Sequence, residues 1–223
     1  MDQPGLDYAS ARDHMVDGQV RPNKVIDPRV IRAMRTLPRE RFVPPHLSSL
    51  AYVDEDVPLG RGRALMEPMV IARLVQLARV REGDRVLVIG SGGGYGAALM
   101  AACGGQVTAL EDDEALLATA RQVLPALAPG VVIVAGPLPA GQPGGAPWDV
   151  IMIEGAIGAI PSGIAGQLRT DGGRLVTVLA FKPGFGHGVL AEPSRPGDVR
   201  AQPMFDCATP LLPAFQDRPL FQF

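Results

Sequence analysis

The sequence contains few cysteines, few histidines and no strong excess of charge of either sign. Cys103 and Cys207 are the only two cysteines among 223 residues, which is typical of a reduced compartment and argues against a disulfide framework. The three histidines do not have metal-ligand spacing, so no metal site is predicted. The formal net charge of −2 comes without a basic run, which argues against nucleic acid or an anionic membrane as the main partner.

Long apolar runs are also missing. No stretch reaches the length of a membrane span, and the first residues lack the pattern of a secretory signal. We therefore expect a cytoplasmic protein. What the sequence does have is 47% hydrophobic against 20% charged residues, which is enough for a substantial core and argues against disorder.

The most informative stretch is a short apolar run that ends in a glycine cluster. Residues 86–89 have the composition of a buried strand, residues 90–94 are nearly all glycine, and the alanine-rich residues 97–102 predict a packed helix. A second apolar run, 107–110, ends at Glu111. This order is typical of a nucleotide-binding βαβ unit, in which glycines let a ligand approach the main chain and an acid accepts hydrogen bonds from ribose hydroxyls.

Further apolar runs extend the alternation. Strands are predicted at residues 131–134, 148–153 and 174–180, and helices at 116–124 and 161–168. The pattern predicts an α/β fold with a mostly parallel central sheet and helices on both faces. Ligands bind beyond the carboxyl ends of such strands, so four loops should converge on one crevice. These loops contain Gly90 to Gly94, Glu111, Gly136 to Leu138, and Glu154 to Ala156.

The two ends of the chain differ in character from this core. Residues 27–37 combine an Asp-Pro helix start with apolar residues at helical spacing. The segment 185–205 predicts an antiparallel hairpin at the edge of the sheet. We therefore divide the chain into a helical and extended region on the substrate side, 1–80, and a core with a C-terminal hairpin and tail, 81–223. The last residues, 210–223, are expected to wrap the surface.

Motifs in the first region match a known family. Residues 26–30 (IDPRV), 38–44 (PRERFVP) and 58–60 (PLG) stand in order before the glycine turn. With these motifs the sequence resembles the protein-L-isoaspartate O-methyltransferases over roughly residues 15–180. The resemblance implies a Rossmann-like S-adenosylmethionine-dependent methyltransferase fold. It also implies S-adenosyl-L-methionine as cofactor, S-adenosyl-L-homocysteine as product, and isoaspartyl carboxylates of damaged proteins as substrates.

The resemblance further implies the site residues. The implied cofactor-binding residues are Gly90, Ser91, Gly92, Gly94, Glu111, Asp112, Gly136, Pro137 and Leu138. The implied substrate-side residues are Leu65, Met66 and Glu67. Because the acceptor carboxylate is ionised at neutral pH and the donor is a sulfonium ion, the protein mainly has to align the reacting atoms. An enzyme of this kind therefore needs no catalytic dyad.

Three residues depart from the family pattern and leave alternatives open. Met66 stands where the family usually has a serine, Val88 where it tends to have an acid, and Pro137 where it commonly has an aspartate. A thioether cannot donate a hydrogen bond to a carboxylate. The alternatives are an inactive member that binds a ligand or partner, a methyltransferase for another carboxylate, and an NAD-binding oxidoreductase, which would not explain residues 15–68. The cofactor prediction requires an open hollow beside the glycine turn, with Glu111 facing into it.

Overall fold

A seven-stranded sheet lies at the centre of the computed structural model, which describes residues 7–182, 184–195 and 197–216. A separate hairpin precedes it, formed by β1 (Val57–Gly60) and β2 (Arg63–Leu65). The strands of the main sheet are β3 (Arg85–Ile89), β4 (Gln106–Glu111), β5 (Val132–Ala135), β6 (Val150–Ile157), β7 (Arg174–Lys182), β8 (Phe185–Arg195) and β9 (Asp198–Cys207). Their order is β5-β4-β3-β6-β7-β8-β9. All neighbours pair in parallel until β7, and β8 and β9 are antiparallel, so the predicted fold class is confirmed.

Helices form at the positions that local sequence signals favour. The α-helices are α1 (Tyr8–Met15), α2 (Pro28–Thr36), α3 (Pro68–Ala78), α4 (Tyr95–Ala102), α5 (Glu114–Leu127) and α6 (Ser162–Ala165). As predicted, Asp27 caps α2: its carboxylate accepts the main-chain N–H of Arg29, and Pro28 is the first helical residue. Within the three described segments, no helix has both the length and the apolar content that crossing a membrane requires.

The two faces of the sheet are covered unequally. Because side chains alternate along a strand, Val86 and Val88 of β3 pack in one apolar cluster, whereas Leu87 and Ile89 pack in another. Residues of α3, α4 and α5 complete the first cluster. The second is completed by the short α6 and by loop residues such as Trp148. This second face therefore depends on irregular segments, including the C-terminal one described below.

The first 80 residues share their core with the main sheet. Met34 of α2 and Phe42 are buried in the same cluster as Leu99 of α4. The Arg29 guanidinium donates to the main-chain oxygen of Cys103, at 3.2 Å, at the end of α4. Residue 80 lies between α3 and β3. The apolar cluster includes residues from both sides of this position.

The C-terminal region contains the predicted hairpin and a returning segment. β8 and β9 pair as an antiparallel hairpin that is longer than predicted. Residues 208–216, called the strap below, then return to the end of β6. The Leu212 N–H donates to the oxygen of Ala156 at 2.8 Å, and the Ala156 N–H donates to the oxygen of Pro210 at 3.2 Å. Of the predicted tail, residues 217–223 lie outside the described residues.

One predicted loop belongs to a strand. Glu154 to Ala156 were expected to follow a strand, but β6 continues to Ile157 because Ala156 and Ile157 still pair with β7. The register shifts between Met152 and Ala156. The shift places Glu154 in an irregular, buried stretch of the sheet near the carboxyl ends of the strands.

Candidate cofactor crevice

The turn between β3 and α4 has a main chain that requires glycine. Gly90, Gly92 and Gly94 have φ angles of 72°, 57° and 99°, in the left-handed region that other residues adopt at a cost. A side chain at Gly94 would also place its Cβ 2.7 Å from a methyl group of Leu124. The turn therefore presents bare main chain at the carboxyl end of β3, as the sequence predicted.

Glu111 lies beside this turn, at the end of β4, and its side chain is completely buried. Its Oε2 atom accepts the N–H of Gly92 at 2.7 Å. Its Oε1 atom accepts the N–H groups of Asp112 and Asp113 at 2.9 and 3.0 Å. The fold thus brings the glycine turn and the strand-end acid together and holds the carboxylate in one orientation.

Sequence reasoning did not identify Arg63, which fills the space between these two features. Its Nη1 atom lies 2.6 Å from Oε1 of Glu111, and its Nη2 atom lies 2.8 Å from Oε2. Nη2 also donates to the main-chain oxygen of Gly90 at 2.9 Å. Only 6% of the Arg63 side chain is exposed. The β1–β2 hairpin therefore inserts a bidentate, buried cation into the predicted nucleoside position.

The ion pair keeps both groups charged. Burial alone would raise the pKa of Glu111, but the hydrogen bonds and charge of Arg63, with the N–H groups of Asp113 and Gly92, hold it below its ordinary value. Burial alone would lower the pKa of Arg63, and Glu111 raises it instead. Glu111 is therefore an anion that already has a full set of donors.

Two leucines complete the filling of the space beside Gly90. A Cβ placed on Gly90 would lie 3.2 Å from Arg63 Nη2 and 3.5 Å from methyl groups of both Leu138 and Leu212. The prediction of an open hollow beside the glycine turn is therefore wrong for this conformation. A cavity of about 230 Å³ remains on the outer side, lined by Arg61, Arg63, Asp112, Asp113, Leu138, Pro213 and Ala214.

The loop after β5 reaches the same crevice. Gly136 donates its N–H to the main-chain oxygen of Glu111 at 3.0 Å. Pro137 has no N–H to offer a ligand, and Leu138 is buried beside Gly90. All of the predicted cofactor-side residues thus lie around one point, and their roles in binding remain predictions.

The predicted substrate-side residues are placed differently. Leu65 and Met66 are buried in the larger apolar cluster, so their side chains do not line an open acceptor pocket. The main-chain oxygen of Met66 accepts a hydrogen bond from the buried guanidinium of Arg39. Glu67 is half-buried at the start of α3, and burial together with neighbouring acids, Asp54 first, raises its pKa. Val88, like Met66 and Pro137, departs from the family pattern, and like Met66 it is a buried core residue.

A second buried acid lies on β6. Among the described residues, Oε2 of Glu154 has no hydrogen-bond partner. Burial raises the pKa of Glu154 to about 8; the charge of Arg63 lowers it and that of Glu111 raises it further. Glu154 is therefore mostly protonated at neutral pH. Arg39, another buried residue facing it, is held by the oxygen of Ala51 at 2.6 Å and lies over the Tyr95 ring.

The chemical groups at the crevice suit an adenosyl cofactor, but the space that the cofactor would occupy is filled. A strand-end carboxylate and a bare glycine turn suit ribose hydroxyls and a close main-chain approach. Arg63 and Leu212 take up the room that such a ligand needs. The residues therefore fit the cofactor only after the guanidinium has left Glu111.

Comparison with solved structures identifies the fold. A Plasmodium falciparum crystal structure with bound S-adenosyl-L-homocysteine, described as a protein-L-isoaspartate O-methyltransferase, matches with a TM-score of 0.72 at 16% identity. The match covers 93% of this chain and 98% of that chain. At this identity the likeness shows the fold, which is the Rossmann-like fold of methyltransferases.

Comparison of sequences then shows the family. Residues 10–182 match the family model of protein-L-isoaspartate(D-aspartate) O-methyltransferase. A protein-L-isoaspartate O-methyltransferase of Methylorubrum extorquens is 39% identical over 79% of this chain and 77% of its own length. One from Methanoculleus marisnigri is 35% identical over 92% of both chains. The chain belongs to the protein-L-isoaspartate(D-aspartate) O-methyltransferase family, which confirms the resemblance noted in its motifs.

Proposed function

We propose that this protein is a cytoplasmic, S-adenosylmethionine-dependent methyltransferase that esterifies isoaspartyl carboxylates in damaged proteins. Family membership over residues 10–182 supports this function. The structural observation that carries it is the position of Glu111 at the end of β4, joined to the glycine turn by the N–H of Gly92. This is the place where the fold family binds a ribose.

Each part of the crevice has a proposed task. The main chain at Gly90, Ser91, Gly92 and Gly94 lies against the methionine and ribose portions, and Glu111 with Asp112 binds the ribose hydroxyls. The segment Gly136–Leu138 flanks the adenine through main-chain and apolar contacts. The bound cofactor supplies a methyl group activated on sulfur, so the protein positions the acceptor and excludes water.

On the substrate side, the main chain of residues 65–67 takes the role that the buried side chains there cannot. Because Leu65 and Met66 are buried, they act by fixing the course of the segment that ends in Glu67. The bond from Arg39 to the Met66 oxygen holds this segment against the core. The acceptor carboxylate is ionised at neutral pH, so methyl transfer requires alignment and no general base.

The substrate is tested with two peptides of the same sequence, one with an isoaspartyl and one with an aspartyl linkage. We expect methyl transfer from S-adenosylmethionine to the isoaspartyl peptide only. Equal transfer to both peptides, or transfer to neither, would contradict the proposed substrate.

The cofactor site is tested with Glu111→Gln in an Arg63→Gln background, where the change breaks no ion pair with Arg63. The amide keeps the shape but loses the charge that strengthens bonds to ribose hydroxyls, which costs about 1.5–3 kcal/mol, or roughly ten- to a hundred-fold in affinity. Calorimetry with S-adenosyl-L-homocysteine measures the loss. Glu114→Gln, a nearby change at an exposed carboxylate of α5, is the matched control in the same background and should bind like Arg63→Gln alone.

One observation favours a second candidate, a family member that binds a partner and does not catalyse. The bidentate contact of Arg63 with Glu111 gives the acid a counter-ion from within the chain. If S-adenosyl-L-homocysteine binds neither to the wild type nor to a folded variant that lacks this contact, the second candidate replaces the first.

A further inference from the structure

We propose that Arg63 is a gate on the cofactor crevice and sets the affinity for the adenosyl ligand. The structure holds the closed state, in which the guanidinium takes the place of the ribose hydroxyls on Glu111. Binding requires that Arg63 swing away and that Leu212 withdraw. This inference rests on the proposed function, since it assumes that the ligand is an adenosyl compound.

Competition at Glu111 is the first step of the argument. The carboxylate accepts five hydrogen bonds: two from Arg63 and one each from the N–H groups of Gly92, Asp112 and Asp113. A carboxylate offers about four lone-pair sites, so its capacity is already filled. The main-chain donors are fixed by the turns that carry them. A ribose can therefore bind Glu111 only in place of Arg63.

The surroundings of Arg63 provide a place for the displaced side chain. Its Nη1 atom is already 3.3 Å from Oδ1 of Asp112, whose side chain is 37% exposed. The outer cavity of about 230 Å³ lies on this side and also borders Asp113. A rotation of the Arg63 side chain into this cavity can thus release Glu111 without unfolding the hairpin.

Leu212 closes the remaining side of the crevice. Its side chain contacts the position of Gly90 and lies so close to Gly155 that a Cβ there would be 2.5 Å from it. The strap that carries it is joined to the end of β6 by the two main-chain bonds at Ala156. Because this attachment is short and the strap has no regular secondary structure apart from a single turn at Pro213–Phe215, it can shift while the sheet stays intact.

The test measures binding of S-adenosyl-L-homocysteine to the full chain by calorimetry. We expect Arg63→Gln to bind at least ten-fold more tightly than the wild type, because the ligand no longer displaces a bidentate cation. Arg61→Gln is the matched control: it removes a cation from the same hairpin, but that side chain is 80% exposed and pairs with Asp113 at the rim. Its affinity should stay within two-fold of the wild type.

A second variant keeps the test decisive if Arg63→Gln unfolds. Leu212→Ala leaves the ion pair intact and should tighten binding at least three-fold. Wild-type binding that neither Arg63→Gln nor Leu212→Ala improves would overturn the gate and leave the proposed function standing. If folded wild type and both variants fail to bind, the gate and the proposed cofactor are both wrong.

Discussion

At the scale of single residues, Glu154 is a group whose ionisation the fold changes strongly. Its pKa is about 8 in the folded protein because of burial, against about 4.3 for an unfolded glutamate. Arg63, Glu111 and Arg39 are the charged groups that face it. Between these two pKa values the folded state holds the proton more strongly, so stability falls as the pH rises through this window.

The prediction is that Glu154→Gln removes much of this pH dependence. An amide cannot ionise, so the melting temperature of the variant should change less than that of the wild type between pH 5.5 and 8.5. Scanning fluorimetry at several pH values measures both slopes. Glu192→Gln, at an exposed position of β8, should keep the wild-type slope. A Glu154→Gln slope equal to that of the wild type would refute the argument.

Sequence patterns identified some site residues and not others. The position of Glu111 beside the glycine turn was predictable because it stands at the end of an apolar run that follows that turn. Arg63 was not, because it stands in an Arg-Gly-Arg turn that has the composition of a solvated loop. The pairing with Glu111 arises only when the hairpin folds onto the sheet. The motif position of Met66 predicts a place in an acceptor pocket, but the sequence does not indicate that its side chain is buried.

At the scale of elements, the C-terminal hairpin is attached to the core by the pairing of β8 with β7, and an aromatic contact adds to this attachment. Phe205 of β9 covers Gly188 of β8 so closely that a Cβ there would lie 2.2 Å from the ring. The guanidinium of Arg73, on α3, lies 4.0 Å from the centre of the same ring. The ring thus links the hairpin edge to a helix of the main core.

Gly188→Ala should therefore destabilise the protein. The added methyl group overlaps the Phe205 ring and forces it away, at a cost of about 1–3 kcal/mol. Urea denaturation followed by circular dichroism measures the change. Gly130→Ala is the control, because no described atom lies within 4 Å of a Cβ at that position and the change should be nearly neutral. A loss below 0.5 kcal/mol, roughly the range of ordinary surface changes, would contradict the prediction.

The existence of the elements was predictable from periodicity, but several ends were not. Proline is typical of turns, yet Pro193 pairs with Val199 inside the hairpin. A register shift between Pro193 and Arg195 accommodates it, since proline is tolerated at bulges and strand edges. Likewise β6 extends through Glu154 because pairing with β7 resumes at Ala156. Local composition does not contain this information about neighbouring strands.

At the scale of the whole molecule, the first 80 residues and the sheet belong to one apolar cluster. Val30, Met34 and Phe42 pack with Val88 and Leu99 in that cluster. We therefore predict one cooperative unfolding transition, with equal calorimetric and van't Hoff enthalpies. Differential scanning calorimetry tests this. Two separate transitions would mean that regions 1–80 and 81–223 are independent folding units.

The alternation of strands and helices made the fold class predictable, whereas the closed crevice was not. Closure depends on Arg63 and Leu212, which come from segments before and after the main sheet in the sequence. Each residue taken alone has an ordinary explanation, as a solvated cation or a buried leucine. Their meeting point at Gly90 is a property of the assembled tertiary structure.

The internal ion pair also bears on how the protein matures in the cell. A buried carboxylate that lacks a counter-ion destabilises the folded state. Because Arg63 neutralises Glu111 from within the chain, a newly synthesised polypeptide needs no bound methyl donor to compensate this charge.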